Sequence, residues 1–309
     1  MGRYLLRRLV MMVPVLLGTT FIIYAAVFAL PGDPVQALAG PNTVVTEAFR
    51  NAVDQKYHLN DPFLLQYWHY LVGLTHGDFG IDLNNVEVSS IISASLPVTA
   101  TLALTTWVLE ALAGVGLGIV AAMRAGKTTD YAILGGSIVV LGVPYFIIAY
   151  VAQIAVGVWL GWLPASGTAD GWPASYLLPA ACLALFGLPE ISRLTRASVL
   201  ENLHAGYVDT AATKGLGPSR TLFRHVVRNS LIPVTSMLGV NLGLLLSGTI
   251  LIEGIFNLPG LGYQIFQGVQ QHNGPVVVGI STLLVLIFLL VNLAVDVVYG
   301  ALDPRIRLA

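Results

Sequence analysis

Six apolar runs limit what this chain can fold into more than any other feature. They lie at about 9–30, 98–123, 131–161, 177–199, 233–252 and 275–299. A helix needs about 20 mostly apolar residues to cross the hydrocarbon of a bilayer. In lipid every backbone N–H and C=O must find its partner inside the protein, so a continuous apolar run of this length reads as a helix. Only 10% of the 309 residues are charged and 56% are hydrophobic, where soluble domains carry about 25% charge. In water such a chain would expose large apolar patches and aggregate. The expected fold is therefore an all-α integral membrane protein of six transmembrane helices. No linker, low-complexity run or internal repeat divides residues 1–309, which read as one membrane domain.

The net charge of −1 gives no field that would attract nucleic acid. Cys182 is the single cysteine, so it has no disulfide partner and reads as a small buried apolar residue. Pro144 inside the third run predicts a kink there. The first run follows Arg3, Arg7 and Arg8 and ends near Val27-Phe28-Ala29, as a signal peptide could. It is longer than the roughly 7–15 residues of a signal core, which favours a retained span.

The cations set the orientation. With the N-terminus in the cytoplasm, thirteen of the fifteen Lys and Arg fall inside, and only Arg50 and Lys56 fall outside. The positive-inside rule then places both termini in the cytoplasm. Residues 31–97 form the large outer segment. A helix is expected near 44–57, and a second begins with Asn60 or Asp61 as cap and Pro62 in its first turn. The second is too short to span, and its Tyr67, Trp68 and Tyr70 suit an interface.

Residues 200–232 form a basic cytoplasmic loop in which Lys214, Arg220, Arg224 and Arg228 fall within fifteen residues. A short helix over Tyr207–Lys214 is expected to stop at Gly215, Gly217 and Pro218. A second helix from Ser219 to Asn229 places Arg220, Arg224 and Arg228 on one stripe. Such a stripe suits lipid phosphates; the small, glycine-ended first helix suits a groove on a partner.

The run Tyr207-Val208-Asp209-Thr210-Ala211-Ala212-Thr213-Lys214-Gly215-Leu216, followed by His225, Arg228-Asn229 and Leu231-Ile232-Pro233, resembles the coupling loop of ATP-binding-cassette importer permeases. Further pieces keep the same order along the chain. They are Pro31-Gly32-Asp33-Pro34, Leu59-Asn60-Asp61-Pro62, Gly77-Asp78-Phe79-Gly80, Arg193-Leu194-Thr195-Arg196, Glu253 with Phe256-Asn257-Leu258-Pro259-Gly260, and Asp303-Pro304-Arg305. Together they are similar to the B-type permease of dipeptide and oligopeptide importers. Two departures stand out. Ala212-Thr213 replaces a frequent Arg-Ala, and Asn273-Gly274-Pro275 replaces a frequent Asp-x-Pro.

The resemblance implies the binding-protein-dependent type I importer fold. It also implies a pathway shared with a second permease and two cytoplasmic ATP-binding subunits, separate or fused. Outside, a solute-binding protein delivers peptide, in the inner membrane of a prokaryote. ATP and Mg would bind the partner ATPases, with no cofactor in this chain. Tyr207, Asp209, Ala211, Lys214, Gly215 and Leu216 would meet the ATPase, with Arg224, His225, Arg228 and Asn229 in support. Glu253, Phe256, Pro259 and Gly260 become outer gate or loop residues. Nickel, haem and glutathione importers share this architecture.

Within the spans, Glu110 and Asn241 are the pathway candidates: an ionised Glu110 at membrane depth would cost a few kcal/mol, so it reads as protonated, as a partner in a hydrogen bond between helices, or as facing a wet path, and Asn241 lies off the small-residue face of its span. Gly114 with Gly118, and Gly239 with Gly243 and Ser247, recur every four residues and read as helix-packing faces. Glu190 is expected to pair with Arg193 or Arg196. His69 and His76 lack a carboxylate cluster at metal-ligand spacing. The chain has no G-x-x-x-x-G-K-[ST] and no nucleophile elbow, so it carries no ATPase or hydrolase signature of its own. An ion-coupled transporter would show inverted repeats and more midplane charge.

Overall fold

A computed structural model describes residues 2–28, 60–82 and 85–302, together with Val35 and positions 45–47, 50, 51 and 54. The expected helix at 44–57, the Pro31–Pro34 motif and the C-terminal Asp303–Arg307 lie largely or wholly outside the described residues. In chain order the helices are α1 (Gly2–Phe28), α2 (Phe63–Thr75), α3 (Val88–Met123), α4 (Thr128–Gly142) and α5 (Tyr145–Ala152). The last of these runs on as a π-helical stretch, Gln153–Trp159. Then come α6 (Ala174–Leu203) and α7 (Gly206–Thr213). A single turn, Pro218–Thr221, and a π-helical stretch, Leu222–Val227, lead into α8 (Arg228–Phe256). The short α9 (Leu261–Gln270) and α10 (Gly274–Leu302) complete the order.

Among the described residues five helices are long and apolar enough to cross a membrane, and α4 with α5 make a sixth if their bent pair counts as one crossing. The kink expected at Pro144 is a bend of 95°. Pro144 has no N–H to give the preceding turn, and Val143 is already extended. The apolar runs understated the helices: α3 begins at Val88 and carries Pro97 within it. The fifth span is also continuous with the segment before it, so the separate helix expected over Ser219–Asn229 is instead the start of one long element. Its cap is Gly217 with Pro218 at the first position, not Ser219. Pro233 sits inside α8 without ending it.

The chain divides into two compact units, one of residues 1–100 and 257–309 and one of residues 101–256. In the first, α2 lies against α1 through an aromatic seam. Tyr24 is buried, with Phe63, Tyr67 and Tyr70 at ring-centroid distances of 5.7, 5.7 and 5.2 Å. The Tyr67 hydroxyl donates to the Leu17 carbonyl at 2.9 Å, and Tyr70 donates to Thr282 of α10 at 2.7 Å. Burial pushes the Tyr70 hydroxyl well above its ordinary range, so it stays a donor. Trp68 is exposed on the opposite face. Pro62 occupies the cap of α2, in place of Asn60 or Asp61, and its carbonyl accepts from Leu65 and Gln66. The Gly77–Gly80 loop rests on α10 at Gly279, where a Cβ would stand 2.8 Å from the Phe79 carbonyl oxygen.

In the second unit α3 and α6 run side by side in register. Glu110 meets Gly187, Gly114 meets Ile191, and Gly118 meets Thr195. Ala122 and Val199 share the next apolar cluster. Both numbers rise together in steps of four, so the helices are parallel. The chain that leaves α3 at Met123 must therefore return to the far end before α6 begins at Ala174. The bent α4–α5 pair is the segment available for that crossing, the sixth among the described residues.

The glycines make this approach possible. A Cβ on Gly118 would lie 2.5 Å from Thr195 Cβ and 2.6 Å from the Ser192 carbonyl oxygen, whereas one on Gly116 would meet nothing within 4 Å. Gly118→Ala should destabilise the purified protein by about 1–3 kcal/mol, the usual range for overpacking. Gly116→Ala should be neutral or gain up to about 1 kcal/mol from the better helix former. Thermal unfolding in detergent measures both, and equal melting points would refute the seam.

Candidate functional site

The coupling-loop residues occupy one end of the second unit. Helix α7 is held there by its inner face: Ala211 is buried, and Val208 packs on the cluster of Ala122, Val199, Leu222, Val226 and Val227. The Tyr207 hydroxyl donates to Asn202 Oδ1 at 2.7 Å, and Asn202 Nδ2 donates to the Ser198 carbonyl at 2.9 Å. Ser230 Oγ donates to the same carbonyl at 3.1 Å, which fastens the following helix to α6. The helix then stops as a glycine-terminated helix should. Gly215 has φ +77°, and the Leu216 N–H reaches back to the Ala211 carbonyl at 3.2 Å.

These anchors divide the predicted set in two. Tyr207, Ala211 and Leu216 hold the loop in place. Asp209, Lys214 and Gly215 are exposed together on the outward side. Arg220, Arg224, Arg228 and Asn229 are also exposed, and His225 is half-buried, while Leu222, Val226, Val227 and Ser230 face inward. The basic stripe expected from the spacing is thus a solvent-facing edge beside α7.

Next to this end lies an ion pair that sequence reasoning missed. Arg196 donates through Nε and Nη2 to the two oxygens of Asp130, each at 2.7 Å. The Gly126 N–H adds a bond to Asp130 Oδ2 at 2.9 Å. Asp130 lies in the first turn of α4, so the pair ties the returning crossing to α6. The expected partners of Glu190 are Arg193 or Arg196; Arg196 is committed to Asp130 instead, and Glu190 is exposed. No local spacing signals a partner 66 positions away.

Further along the α3–α6 seam, Glu110 and Asn241 come together. The Asn241 amide and the Gly187 N–H both face the Glu110 carboxyl. Glu110 is 1% exposed, and its Oε2 has no hydrogen-bond partner. A cavity of about 110 Å³ opens beside it, walled by Tyr145, Leu183, Phe186, Asn241, Leu244 and Leu245. Trp107 Nε1 donates to the Leu238 carbonyl at 2.8 Å and fixes α8 against α3 just below. Gly187 is the residue that sequence reasoning overlooked: a Cβ there would collide with the carboxyl atoms of Glu110, so only glycine leaves Glu110 this place.

The outer candidates divide between the units. Glu253 and Phe256 are fully buried at the end of α8, where the Phe256 carbonyl accepts from the Gly167 N–H at 2.8 Å. Pro259 is exposed, and Gly260 caps α9, whose Leu261 N–H donates to Thr99 Oγ1 at 2.8 Å. A further cavity, about 170 Å³, lies in the first unit among Tyr24, Gln66, His69, Tyr70 and Asp78. In its wall Gln66 Nε2 donates to the Asp61 carbonyl, Tyr70 donates to Thr282, and Asp78 Oδ1 accepts from the Gly80 N–H at 2.8 Å. Among the described residues no three His, Cys, Asp or Glu side chains stand close enough to share a metal ion.

Residues 114–308 match the family described as the binding-protein-dependent transport system inner membrane component, and residues 1–103 match its N-terminal counterpart. The oligopeptide transport system permease protein OppB of Salmonella typhimurium is 33% identical over 309 residues, covering 99% of this chain and all of its own. The dipeptide transport system permease protein DppB of Bacillus subtilis is 33% identical over 312 residues, covering 100% of this chain and 99% of its own. The glutathione transport system permease protein GsiC of Salmonella typhimurium is 35% identical over 310 residues, covering 99% of each. The fold resembles that of the MetNI methionine ABC transporter in its inward facing conformations, with a TM-score of 0.57 and 18% identity over 69% of this chain and 96% of that one. The chain belongs to the inner membrane component family of binding-protein-dependent transport systems, as a multi-pass permease subunit of an ATP-driven importer whose ATPase is a separate subunit.

Proposed function

We propose that this chain is one of two permeases that form the pathway of a peptide importer. The observation that carries this reading is the end-to-end match to permeases named for oligopeptide and dipeptide transport. The similarity to a glutathione permease is compatible with it, since glutathione is itself a small peptide. A solute-binding protein outside delivers the peptide. Two ATP-binding subunits inside, separate or fused, hold ATP and Mg.

In this reading α7 is the element that enters a cleft of the ATPase. Its inner face is committed to the permease through Val208 and Ala211, and its outer face presents Asp209, Lys214 and the glycine turn. A residue with a Cβ at φ +77° pays about 1–2 kcal/mol in backbone strain, so Gly215 also sets the shape of the tip. Arg224, Arg228 and Asn229 flank the same surface. The segments around Glu253 and Phe256, and around Pro259 and Gly260, serve the outer mouth.

Orientation follows from the placement of thirteen of fifteen cations on one side. Cysteines introduced at Thr213 and at Asp170, in a Cys182→Ser background, should react in opposite ways with an impermeant maleimide added outside. Asp170 should label and Thr213 should stay silent until the membrane is opened. The reverse pattern would invert the topology.

Coupling is tested in a complex reconstituted in lipid with its binding protein. Gly215→Glu should leave the four-subunit assembly intact while stimulated ATP hydrolysis and peptide uptake fall together. Arg220→Ala removes one exposed charge, worth at most about 1 kcal/mol, and should change neither. If Gly215→Glu keeps both activities, α7 is only a solvated surface. Vesicles that contain this permease alone should show no saturable uptake.

A further inference from the structure

Glu110 carries an unpartnered carboxyl oxygen in the wall of a cavity. Its carboxyl group is almost wholly enclosed, yet Oε2 bonds to nothing while the cavity lies beside it. A carboxyl kept only to join helices would engage both oxygens. Here Gly187 lies close against the carboxyl and Asn241 shares the cavity wall with it, yet Oε2 is left without a partner. The arrangement has also been given room, because Gly187 is the one residue type that does not displace the carboxyl.

The chemistry of the walls selects the occupant. A hard metal ion takes about 6–8 oxygen ligands, and this cavity offers a carboxyl, an amide and one phenol among leucines and a phenylalanine. A primary ammonium asks for less: up to three acceptors and an apolar surface for the carbon that bears it. Glu110 supplies the counter-charge and Asn241 a further acceptor. Tyr145 and Phe186 stand with ring centroids 5.9 Å apart, edge to face. Phe186 is 59% and Leu244 47% exposed, so the aromatic and aliphatic rim opens to the surface of this unit. A cation passing over such rings gains a further attraction. The volume of about 110 Å³ admits a few heavy atoms, an ammonium with its first carbons, and not a whole peptide.

We propose that this cavity is a subsite of the pathway that receives the primary ammonium group of the transported peptide, with Glu110 as its anionic acceptor. This rests on the reading of the chain as a peptide permease. Both are tested with trialanine, its binding protein and the complete complex in proteoliposomes. Uptake by the wild-type complex tests the peptide reading alone. Given that uptake, Glu110→Gln should lower kcat at saturating loaded binding protein by about tenfold or more, the scale of a lost charge-assisted hydrogen bond. Assembly of the complex should stay intact, and Glu110→Asp should recover part of the rate. Glutamine preserves the volume and the hydrogen bonds to neighbouring helices, so a purely structural role predicts no change. Wild-type rates in Glu110→Gln would overturn the proposal.

A second measurement does not depend on that variant folding. A tripeptide with a photoreactive diazirine side chain at its first residue is illuminated during turnover by the wild-type complex. Mass spectrometry should find adducts at Tyr145, Phe186 or Leu244. Adducts in the permeases at other positions only, or none in this chain, would overturn the subsite even where uptake of trialanine is normal.

Discussion

The parallel contact of α3 with α6 is the interaction on which the second unit depends. Apolar side chains give two helices no reason to prefer each other over lipid tails, so association in a bilayer rests on close packing and on polar bonds between helices. The contact points of α3, at 110, 114, 118 and 122, fall one turn apart and face 187, 191, 195 and 199 of α6. Glycine alternates sides: Gly187 makes space for Glu110, while Gly114 and Gly118 make space for Ile191 and Thr195. The partners at the glycine positions are β-branched, stiff at χ1 and well suited to filling a groove. The parallel direction has a topological consequence as well, since it obliges the intervening chain to recross. The break at Pro144 bends that crossing but does not remove it.

Everything functional in the unit is mounted along this seam. At one end the apolar cluster around Val199 and Val226 receives α7, and the bond from Ser230 to Ser198 fastens α8 to the same helix. Farther up, α3 and α6 hold Glu110 against Asn241 of α8. The element proposed to meet an ATPase and the carboxyl proposed to meet a solute are therefore carried by the same three helices. A displacement of α7 by its partner acts on those helices as packed bodies, because interfaces of this density shift between discrete arrangements and do not deform continuously. The Asp130–Arg196 pair extends the same body to the returning crossing.

Much of this was legible in the sequence because lipid leaves few choices. Apolar length gave the crossings, cation placement suggested the sidedness, and the glycine after Lys214 marked the end of α7. The repeat of Gly114 and Gly118 announced a close approach. What it could not announce was the partner: Ile191 and Thr195 are ordinary residues, and no pattern ties them to positions 77 earlier. Arg196 failed for the same reason. Spacing along a helix proposes neighbours within two turns, and its actual partner is on another helix. The continuous run from Pro218 into α8 was misread because Pro233 looks like a boundary. Inside a membrane helix the group it leaves unpaired can be met by neighbouring side chains or local loosening, so proline there is tolerated. Glu110 and Asn241 were each singled out by their polarity at depth, but only the fold makes them one site.

Two of the enclosed carboxylates of this unit, Asp130 and Glu110, show how a charge can be kept for structure or for use. Asp130 is saturated: a guanidinium fork covers both of its oxygens and a backbone N–H adds a third bond. Replacing that pair by an apolar contact of the same shape would cost little in principle, since burying ions consumes most of what their attraction returns. Glu110 is the opposite case. Its neighbours satisfy it in part, its second oxygen lies beside a cavity, and glycine at 187 preserves that geometry. A glutamine in its place would keep the interhelical bonds and avoid the few kcal/mol that an acidic group costs at membrane depth. The ionisable group is thus the one part of this arrangement that packing does not need, and a passing cation is what makes sense of it.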